Sequence, residues 1–489
     1  MASKADKPKE MKVTKPKLED YKDRLFRCIH CRACRYAWSD FPDKEGFEGK
    51  TQDGENRVWE GMLEGCPSGK YFGWEAHYNS GRMWIARAVL QGELDINDPK
   101  IAEALRDEVF KCTTCANCSV QCVNNLPSFE ITEALRAEVL KHIEPLPKHK
   151  AMGASVKEKW DPYGEPPEKR VDWLKKVAPE VINKQSDTAY YVGCTIGLRT
   201  THIGEATVKL LKKLGVDFTV LSEEACCGSP MIRTGQLDIA TKTMQKNIEV
   251  FRAKGVKRIL FSCAGCYKTF KNDYPPEAFK GIELMHVLEF VYRLVKARKV
   301  KFKEYKKIIT WHDPCHLIRH QTMEMRHGQA YQIVKRKIAD EEDEWMDMPR
   351  VILKAIPGVD FREMYRIKDN SWCCGAGGGI KAQYPDFAIA TAEERIKEAE
   401  TTGANVIATS CGFCLYNLRD GAKSLAAKRG GKAPQVEVIE LIELLADIIE
   451  PLPGAADLAK VGAMAAVKAK ELEAKKVAQA AKAGKPVKK

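Results

Sequence analysis

The sequence predicts an α/β protein with an α-rich N-terminal part, followed by a duplicated α/β unit with pseudo-twofold symmetry. Two observations predict this class. An internal repeat fills residues 188–450, and within each copy short β-branched runs alternate with helical stretches of about ten to fifteen residues. At 489 residues, of which 44% are hydrophobic and 30% charged, the chain is long enough for two or three globular units.

The first elements in chain order are helical. Residues 1–20 are lysine-rich and are expected to form a disordered basic arm ahead of a domain over 21–145. In that domain Asp98 and Pro99 form a helix start signal, because aspartate caps helix N-termini and proline suits the first turn. The apolar residues at helical spacing after this signal are Ile101, Leu105 and Val109. A second such run, expected to end at Pro145, consists of Ile131, Leu135, Val139 and Ile143. Prolines mark residues 146–187 as a linker.

The repeat has two copies, at 188–305 and 306–450, and each carries a single cysteine, a Cys-Cys-Gly doublet and a CxxC pair. The single cysteine and the doublet are separated by 31 residues in the first copy and 57 in the second, whereas the doublet and the CxxC pair are separated by 35 and 36. The extra residues lie around 320–350 and are interpreted either as a helical insertion or as an excursion toward a partner. Residues 451–489 form an Ala/Lys-rich tail.

The formal net charge of +13 does not indicate a nucleic-acid-binding protein. Much of the excess lies in residues 455–489, which carry nine lysines and three acidic residues. Nucleic-acid binding needs basic residues clustered on one face. No run of 18 uninterrupted apolar residues occurs, and Met1–Lys17 lacks the apolar segment of a secretory signal, so neither a transmembrane segment nor export is expected. A cytoplasmic location follows, where thiols remain free for metals.

All eighteen cysteines fall into four sets. Two sets have the CxxCxxC spacing of iron-sulfur proteins, with a more distant fourth cysteine: Cys28, Cys31, Cys34 with Cys66, and Cys112, Cys115, Cys118 with Cys122. The other two sets are quintets: Cys194, Cys226, Cys227, Cys263, Cys266, and Cys315, Cys373, Cys374, Cys411, Cys414. A chain whose cysteines all follow such patterns is expected to handle electrons.

The CxxCxxC sets predict two cubane 4Fe-4S clusters. In two-cluster ferredoxins the fourth ligand comes from the opposite motif, so Cys122 is assigned to the Cys28 set and Cys66 to the Cys112 set. Zinc is the weaker alternative, because a third cysteine in one short motif is not needed for a tetrahedral ion. The pattern departs from that of ferredoxins at Val123, where proline is usual, and in the 31 residues between Cys34 and Cys66. Those residues predict an inserted loop that carries Trp38, Phe41, Phe47 and Trp59.

The quintets need a different explanation, because five thiolates are one more than a cubane uses. Adjacent side chains on a strand point to opposite faces, so a Cys-Cys doublet can share one cluster only at a sharp turn, which Gly228 and Gly375 permit. Either each site has a bridging or exchangeable thiolate, or one cysteine is not a ligand. Each cysteine group is expected just past a strand and near a helix start, where unpaired N–H groups stabilise thiolates.

Histidine, glycine and aromatic residues near the cysteines are further candidates for a functional or structural role. His312 and His316 flank Cys315, and His202 follows Cys194, so each is a candidate proton donor or a structural hydrogen-bonding group. His30 is expected to support the first cubane motif. The run Gly375, Gly377, Gly378 and Gly379 lacks a phosphate-binding pattern, so nucleotide binding is not expected. The aromatic residues near the second quintet are interpreted as core: Trp311, Trp372 and Phe413.

This combination of motifs resembles the family of the catalytic D subunit of heterodisulfide reductase and the K subunit of the Dsr membrane complex. The similarity covers roughly residues 21–450 and includes GWE and SGRMWIARAVLQGEL within 73–94. The resemblance implies a ferredoxin-like two-cluster domain and two CCG cysteine-rich domains. It also implies two non-cubane 4Fe-4S clusters, one per quintet, that face each other across the repeat junction and cleave a substrate disulfide between them.

The expected function is that of a thiol/disulfide oxidoreductase, the catalytic component of a complex, which reduces a heterodisulfide or protein trisulfide or oxidises the thiols in reverse. The resemblance implies a membrane cytochrome b or a flavoprotein as electron donor, and a peripheral location on the inner face of the membrane. The alternatives are an electron-relay component of a flavin dehydrogenase for glycolate, lactate or glycerol 3-phosphate, and a scaffold that uses its clusters structurally.

Overall fold

The computed structural model describes residues 15–38, 62–326, 344–431 and 434–460. Most of the basic arm, the inserted-loop residues Phe41, Phe47 and Trp59, the middle of the 320–350 insertion and the tail beyond 460 lie outside these ranges, so the predictions for them stay predictions. Within the described ranges, no helix has both the length and the apolar character needed to cross a membrane.

The helices, in chain order, are α1 Lys22–Leu25, α2 Pro67–Phe72, α3 Asn79–Gln91, α4 Pro99–Phe110, α5 Asn117–Gln121, α6 Ser128–Val139, α7 Pro147–Lys159, α8 Leu174–Val177, α9 Cys194–Leu198, α10 Thr201–Lys213, α11 Ser229–Arg233, α12 Leu237–Ala253, α13 Ala264–Lys268, α14 Val287–Lys296, α15 Arg319–Arg326, α16 with described residues 344–354, α17 Ile380–Gln383, α18 Pro385–Glu400, α19 Gly412–Lys428, α20 Leu441–Ile448 and α21 Ala455–Ala459. The strands are β1 Tyr36–Trp38, β2 Met62–Glu64, β3 Thr188–Tyr191, β4 Arg258–Phe261, β5 Glu283–His286, β6 Val300–Phe302, β7 Lys307–Trp311, β8 Val359–Phe361, β9 Val406–Thr409, β10 Glu437–Glu440 and β11 Ile449–Pro451.

The N-terminal region is helical, as predicted, and has its own core. Helix α4 begins where the sequence predicts, because the Asp98 carboxylate accepts the N–H of Lys100 at 2.8 Å, and Leu105 and Val109 are buried. Helix α6 ends at Val139, earlier than the predicted stop at Pro145, and the chain then forms tight turns that carry Leu146 into the same core. The antiparallel strands β1 and β2 form the base of the loop between Cys34 and Cys66.

The segment 146–187 was expected to be a linker, but it contains two α-helices and packs against the C-terminal region. Val156 and Leu174 are fully buried in the main hydrophobic core. Arg170 donates from Nε to the buried Asp161 carboxylate at 3.1 Å. The prolines therefore start short helices rather than separate two domains, since proline is favourable in a first helical turn.

The C-terminal region contains two parallel sheets with the same arrangement of strands. The first has the order β3-β4-β5, and an isolated parallel bridge joins Ala189 of β3 to Thr219 on its other side. The second has the order β10-β9-β7-β8, in which β8 occupies the corresponding outer position. Strands β6 and β11 follow the last helix of each half and pair antiparallel, with Ile449 opposite Phe302. One continuous core spans both halves.

Arg136 on α6 fastens the N-terminal region to both halves of the C-terminal region. Its fully buried guanidinium donates to three carbonyl oxygens of the N-terminal region, those of Val109, Phe110 and Cys112, at 2.7 to 3.2 Å. It also donates to the carbonyl oxygens of Arg233 at 2.6 Å and Gly378 at 3.1 Å. One side chain therefore satisfies carbonyl groups on three parts of the molecule.

The glycine run 375–379 allows a close approach between the N-terminal region and the second sheet. A Cβ atom at Gly377 or Gly378 would collide with the carbonyl oxygen of Thr113 or Cys112 respectively, and one at Gly379 would collide with the His149 ring. Gly378 has a φ of +65°, which favours glycine. Tight backbone packing therefore explains this run.

We expect Gly378→Ala to lower the free energy of unfolding by about 2–4 kcal/mol, because it adds a steric clash to an unfavourable φ. Gly92→Ala is the matched control, since Gly92 has a φ of +73° but nothing within 4 Å of the added Cβ. Gly92→Ala is expected to lower the free energy of unfolding by about 1 kcal/mol or less. Anaerobic urea titrations of both variants measure the difference, and equal losses would contradict the close-packing explanation.

Candidate functional site

The structure arranges the eighteen free thiols in four groups. In the N-terminal region we call Cys28, Cys31, Cys34 and Cys122 the outer site, and Cys66, Cys112, Cys115 and Cys118 the inner site. Burial raises the pKa of the Cys122 thiol, and the neighbouring Cys28 and Cys31 raise it further. Burial likewise raises the pKa of Cys66 to about 12, with further increases from Cys112 and Cys115. Proximity thus groups the thiols with the fourth cysteine of each motif crossed over to the other.

The two CxxCxxC loops share an unusual backbone conformation. His30 and Arg32 have φ values of +55° and +64°, and the residues at the same positions of the second loop, Thr114 and Ala116, have +52° and +65°. Non-glycine residues seldom adopt this region, and such strain concentrates at functional sites. The strained turn directs three thiols toward one centre. Backbone N–H groups of Gly69 and Thr114 donate to the sulfurs of Cys66 and Cys112 at 3.5 and 3.4 Å.

The first quintet lies at the carboxyl ends of the first sheet's strands. Cys194 begins α9 three residues after the end of β3, and Cys263 is the N-cap of α13 after β4. The sulfurs of Cys194 and Cys226 are 3.8 Å apart. The remaining thiols of this quintet lie close enough to shift one another's pKa, Cys226 with Cys227, Cys227 with Cys266, and Cys266 with Cys263. Gly228, with a φ of +87°, provides the predicted turn after the doublet.

The second quintet repeats this arrangement on the second sheet. Cys315 follows β7 and Cys411 is the N-cap of α19 after β9. Neighbouring thiols again lie close enough for one to shift the pKa of the next, in the order Cys315, Cys373, Cys374, Cys414 and Cys411. Gly375 turns the chain with a φ of +89° and donates its N–H to the Cys373 sulfur at 3.3 Å.

Two further contacts join these groups into one series. The Cys263 thiol of the first quintet lies close enough to Cys411 of the second for each to shift the pKa of the other. The Cys115 thiol of the inner site and the Cys373 thiol of the second quintet likewise lie close enough to shift each other's pKa. An unbroken series of thiol contacts therefore runs from the inner site through the second quintet to the first.

The donor set fits iron-sulfur ligation, which requires thiolates. The adjacent Cys373 thiol lowers the pKa of Cys115, and the adjacent Cys226 and Cys266 thiols lower that of Cys227. These shifts favour the thiolate form that cluster ligation needs. Soft sulfur donors with backbone N–H groups aimed at them are typical of iron-sulfur centres.

His312 and His316, the predicted proton donors, both lie beside thiols of the second quintet, His312 buried and His316 half-buried. A ring nitrogen of His312 lies within 4.8 Å of the Cys374 and Cys414 sulfurs, and its Nδ1 accepts from Arg395 Nε at 3.2 Å. The Arg395 contact leaves Nε2 as the protonated nitrogen. Burial lowers the pKa of His316 to about 3, so its ring is neutral at physiological pH. Their chemical roles stay predictions.

The other two histidines singled out by the sequence lie away from the quintets. His202 is near the surface, where its Nε2 lies 3.2 Å from Arg419 Nη1 and 3.7 Å from the Glu443 carboxylate. His30 pairs with the Glu75 carboxylate at 3.0 Å beside the outer site. Trp311 and Trp372 are buried in the protein interior, as predicted.

Sequence reasoning missed His320 and Arg319. His320 stacks edge-on against His316 with ring centroids 4.6 Å apart, and its Nε2 donates to the Thr114 carbonyl at 3.2 Å. Arg319 donates to the Cys115 carbonyl at 2.8 Å and to the carbonyls of Asp369 and Ser371. Both residues follow Cys315 by about one helical turn, a spacing that could have identified them.

Comparison with known proteins gives two family matches. A model described as "4Fe-4S dicluster domain" matches residues 24–126, and one described as "Cysteine-rich domain" matches residues 188–271 and 309–419. The D subunit of dihydromethanophenazine:CoB–CoM heterodisulfide reductase from Methanosarcina mazei is 36% identical over 78% of this chain and 88% of that protein. The corresponding protein from Methanosarcina barkeri matches to the same extent. The B subunit of fumarate reductase (CoM/CoB) from Methanothermobacter marburgensis is 29% identical over 71% of this chain and 63% of that protein.

Proposed function

The chain belongs to the family of the heterodisulfide reductase D subunit, and on that premise we propose that it is the catalytic iron-sulfur component of a disulfide-reducing complex. The observation that carries the proposal is the contact between Cys263 and Cys411. This contact brings the two complete quintets together, which suits a substrate that has two sulfur atoms to separate.

We propose cubane 4Fe-4S clusters at the outer and inner sites and a non-cubane 4Fe-4S cluster at each quintet. When bound, these clusters supply electrons one at a time, and reductive cleavage of a disulfide consumes two electrons and two protons and yields two thiols. The contact of Cys115 with Cys373 supports entry of electrons into the second quintet before the first. The crossed proximity of Cys122 and Cys66 supports the ligand sets of the cubanes.

The chain's own residues have three tasks in this proposal. Nine of the ten quintet cysteines are buried, which limits the access of water to the reacting sulfur atoms. The Nε2–H of His312, oriented by Arg395, is suited to donate a hydrogen bond to sulfur near Cys374. The matching strand orders of the two sheets and the β6–β11 pairing support a pseudo-twofold relation between the halves, with the substrate at their junction.

The alternative function, electron relay for a flavin dehydrogenase, has less support. A relay needs a series of redox centres but not two complete quintets in contact with each other. As electron donor we propose a membrane cytochrome b or a flavoprotein, with this chain as the peripheral component. The names of the Methanosarcina relatives make the CoB–CoM heterodisulfide the first substrate to test.

We expect the anaerobically purified chain to contain about sixteen iron and about sixteen sulfide atoms, since four 4Fe-4S clusters are proposed. Addition of a substrate thiol to the oxidised protein should change the electron paramagnetic resonance signal of the quintet clusters, because the thiol binds where they meet. Iron and sulfide analysis with spectra at increasing thiol concentration measures both quantities.

The control for this experiment is an alcohol of the same shape, such as 2-hydroxyethanesulfonate in place of 2-mercaptoethanesulfonate. It should leave the signal unchanged. An iron content of about eight would contradict the cluster assignment. Full iron content with a signal indifferent to the thiol would instead favour the relay alternative.

A further inference from the structure

An apolar surface surrounds the outer site. Eight large apolar side chains of the described residues are exposed, and five of them belong to this surface: Phe26, Ile29, Trp74, Trp84 and Val123. We call these five residues the outer patch. Ile29 is 68% exposed and Trp74 75%, although exposure of such large apolar groups is unfavourable in water. The Cys31 thiol, two residues after Ile29, is exposed as well.

Contacts around the first cysteine loop join parts of the outer patch. The Arg87 guanidinium lies 4.8 Å from both the Phe26 and Trp84 ring centroids. The His30 ring lies 5.2 Å from Trp84, which connects α3 to the cysteine loop. On the other side, Asn124 next to Val123 donates to the Arg27 carbonyl at 2.7 Å.

The remaining exposed apolar residues are isolated and lie elsewhere. Tyr71 packs on the Phe387 ring at 5.1 Å, and the Lys381 ammonium covers Tyr416 at 4.3 Å. Val177 lines a separate groove beside α10. Apolar exposure is therefore concentrated where a cysteine group reaches the surface.

The charge around the outer patch is positive. Residues 22–35 contain five basic residues and one acidic residue. Arg24, Arg27 and Arg32 are exposed, and of these only Arg32 has a carboxylate of the described residues within ion-pair distance, Glu75 at 3.7 Å. Aromatic residues with arginine are enriched at protein interfaces, where they provide much of the binding energy.

We propose that the outer patch is the docking surface for an electron-carrier protein with carboxylates around an apolar contact area. This inference rests on the proposed function, because it assumes that electrons enter at the outer site. A protein suits the patch better than a lipid surface, since an exposed cysteine group within the apolar area gains function only from a redox centre brought close to it. Small, weak interfaces are typical of such electron-transfer pairs.

The test uses the full chain with its clusters and an acidic plant-type 2Fe-2S ferredoxin as the probe. Trp84→Ser and Arg87→Glu are made on α3, outside the cysteine loops. Each is expected to weaken ferredoxin binding, measured by calorimetry, by about tenfold or more, because it removes an aromatic anchor or reverses a charge. Reduction by photoreduced ferredoxin should slow in parallel, while reduction by the small donor methyl viologen should not change.

Two matched controls lie in the α10 groove. Val177→Ser removes an exposed apolar side chain and Lys209→Glu reverses an exposed charge, and both should bind ferredoxin like the unaltered chain. Added salt should weaken binding by the unaltered chain and by these controls, because opposite charges attract across the interface. The salt dependence should be smaller for Arg87→Glu.

The remaining outcomes separate the alternatives. Unchanged ferredoxin binding by Trp84→Ser and Arg87→Glu overturns the docking surface, whether or not the clusters accept electrons. A further outcome is co-sedimentation of the chain with phosphatidylglycerol vesicles. If Trp84→Ser abolishes that co-sedimentation but leaves ferredoxin binding unchanged, the outer patch is a membrane contact, and the proposed docking surface is overturned as well. A chain that binds ferredoxin through Trp84 but takes no electrons from methyl viologen contradicts the proposed function and leaves the docking surface standing.

Discussion

Cys374→Ser is expected to reduce kcat/KM for disulfide reduction by about three orders of magnitude, since the proposed chemistry needs both quintets together. A serine hydroxyl does not ionise at neutral pH and is a poor ligand for a centre that selects soft sulfur donors. The position is sensitive because neighbouring groups, first Cys373 and then Cys414 and His312, hold the pKa of Cys374 well below its usual range. About four iron atoms should be lost from about sixteen.

The measurement combines iron analysis with turnover of the CoB–CoM heterodisulfide, using reduced methyl viologen as donor. The cubane signals should persist, because the outer and inner sites keep all eight of their cysteines. Thr310→Val is the matched control in the same half. Its hydroxyl is buried without a hydrogen-bond partner among the described residues, so the nearly isosteric change should leave iron content and turnover intact. Full turnover by Cys374→Ser would rule out a catalytic second quintet.

Arg136→Met is expected to lower the free energy of unfolding by about 3–5 kcal/mol, because five buried carbonyl groups lose a charged donor at once. Burial lowers the pKa of Arg136 to about 10, so the side chain is still charged at neutral pH. The five carbonyls lie in both the N-terminal and C-terminal regions. The variant should therefore also slow electron transfer between the inner site and the second quintet.

Anaerobic urea unfolding and stopped-flow reduction by methyl viologen measure these two effects. Arg106→Met is the control, because Arg106 lies near the surface and donates to the Glu144 carbonyl at 3.0 Å. Loss of the Arg106 guanidinium should lower the free energy of unfolding by about 1 kcal/mol or less. If both variants lose the same stability, Arg136 does not fasten the regions together.

Local chemistry made part of the site predictable from sequence. A CxxCxxC loop joins three thiols within seven residues, so grouping them requires no knowledge of the fold. The α4 start at Asp98 and the turns at Gly228 and Gly375 were confirmed for the same reason, since a cap or a positive φ depends on a few adjacent residues. Helix α6 ends earlier than predicted, and the segment expected to be a linker contains packed helices. In both places tertiary contacts, which the spacing of prolines does not reveal, decide the conformation of the chain.

Long-range contacts were beyond the reach of sequence. Arg136 and the glycines at 377–379 gave no local signal for these contacts, because their partners are groups more than twenty residues away or in another region. The sequence did not predict the outer patch either, because a tryptophan within a helix, such as Trp84 in α3, is ordinarily interpreted as a core residue. Exposure depends on what the rest of the chain leaves uncovered.

The sequence by itself determined the ligand chemistry, the repeated α/β architecture and the family, because thiol type, spacing and periodicity are properties of short segments. Only the tertiary structure decided that Cys115 contacts Cys373 and that Cys263 contacts Cys411. Those pairs are separated by 258 and 148 residues. Their meeting depends on the packing of the N-terminal region against the two halves of the C-terminal region, and that packing sets the order of the cysteine groups in space.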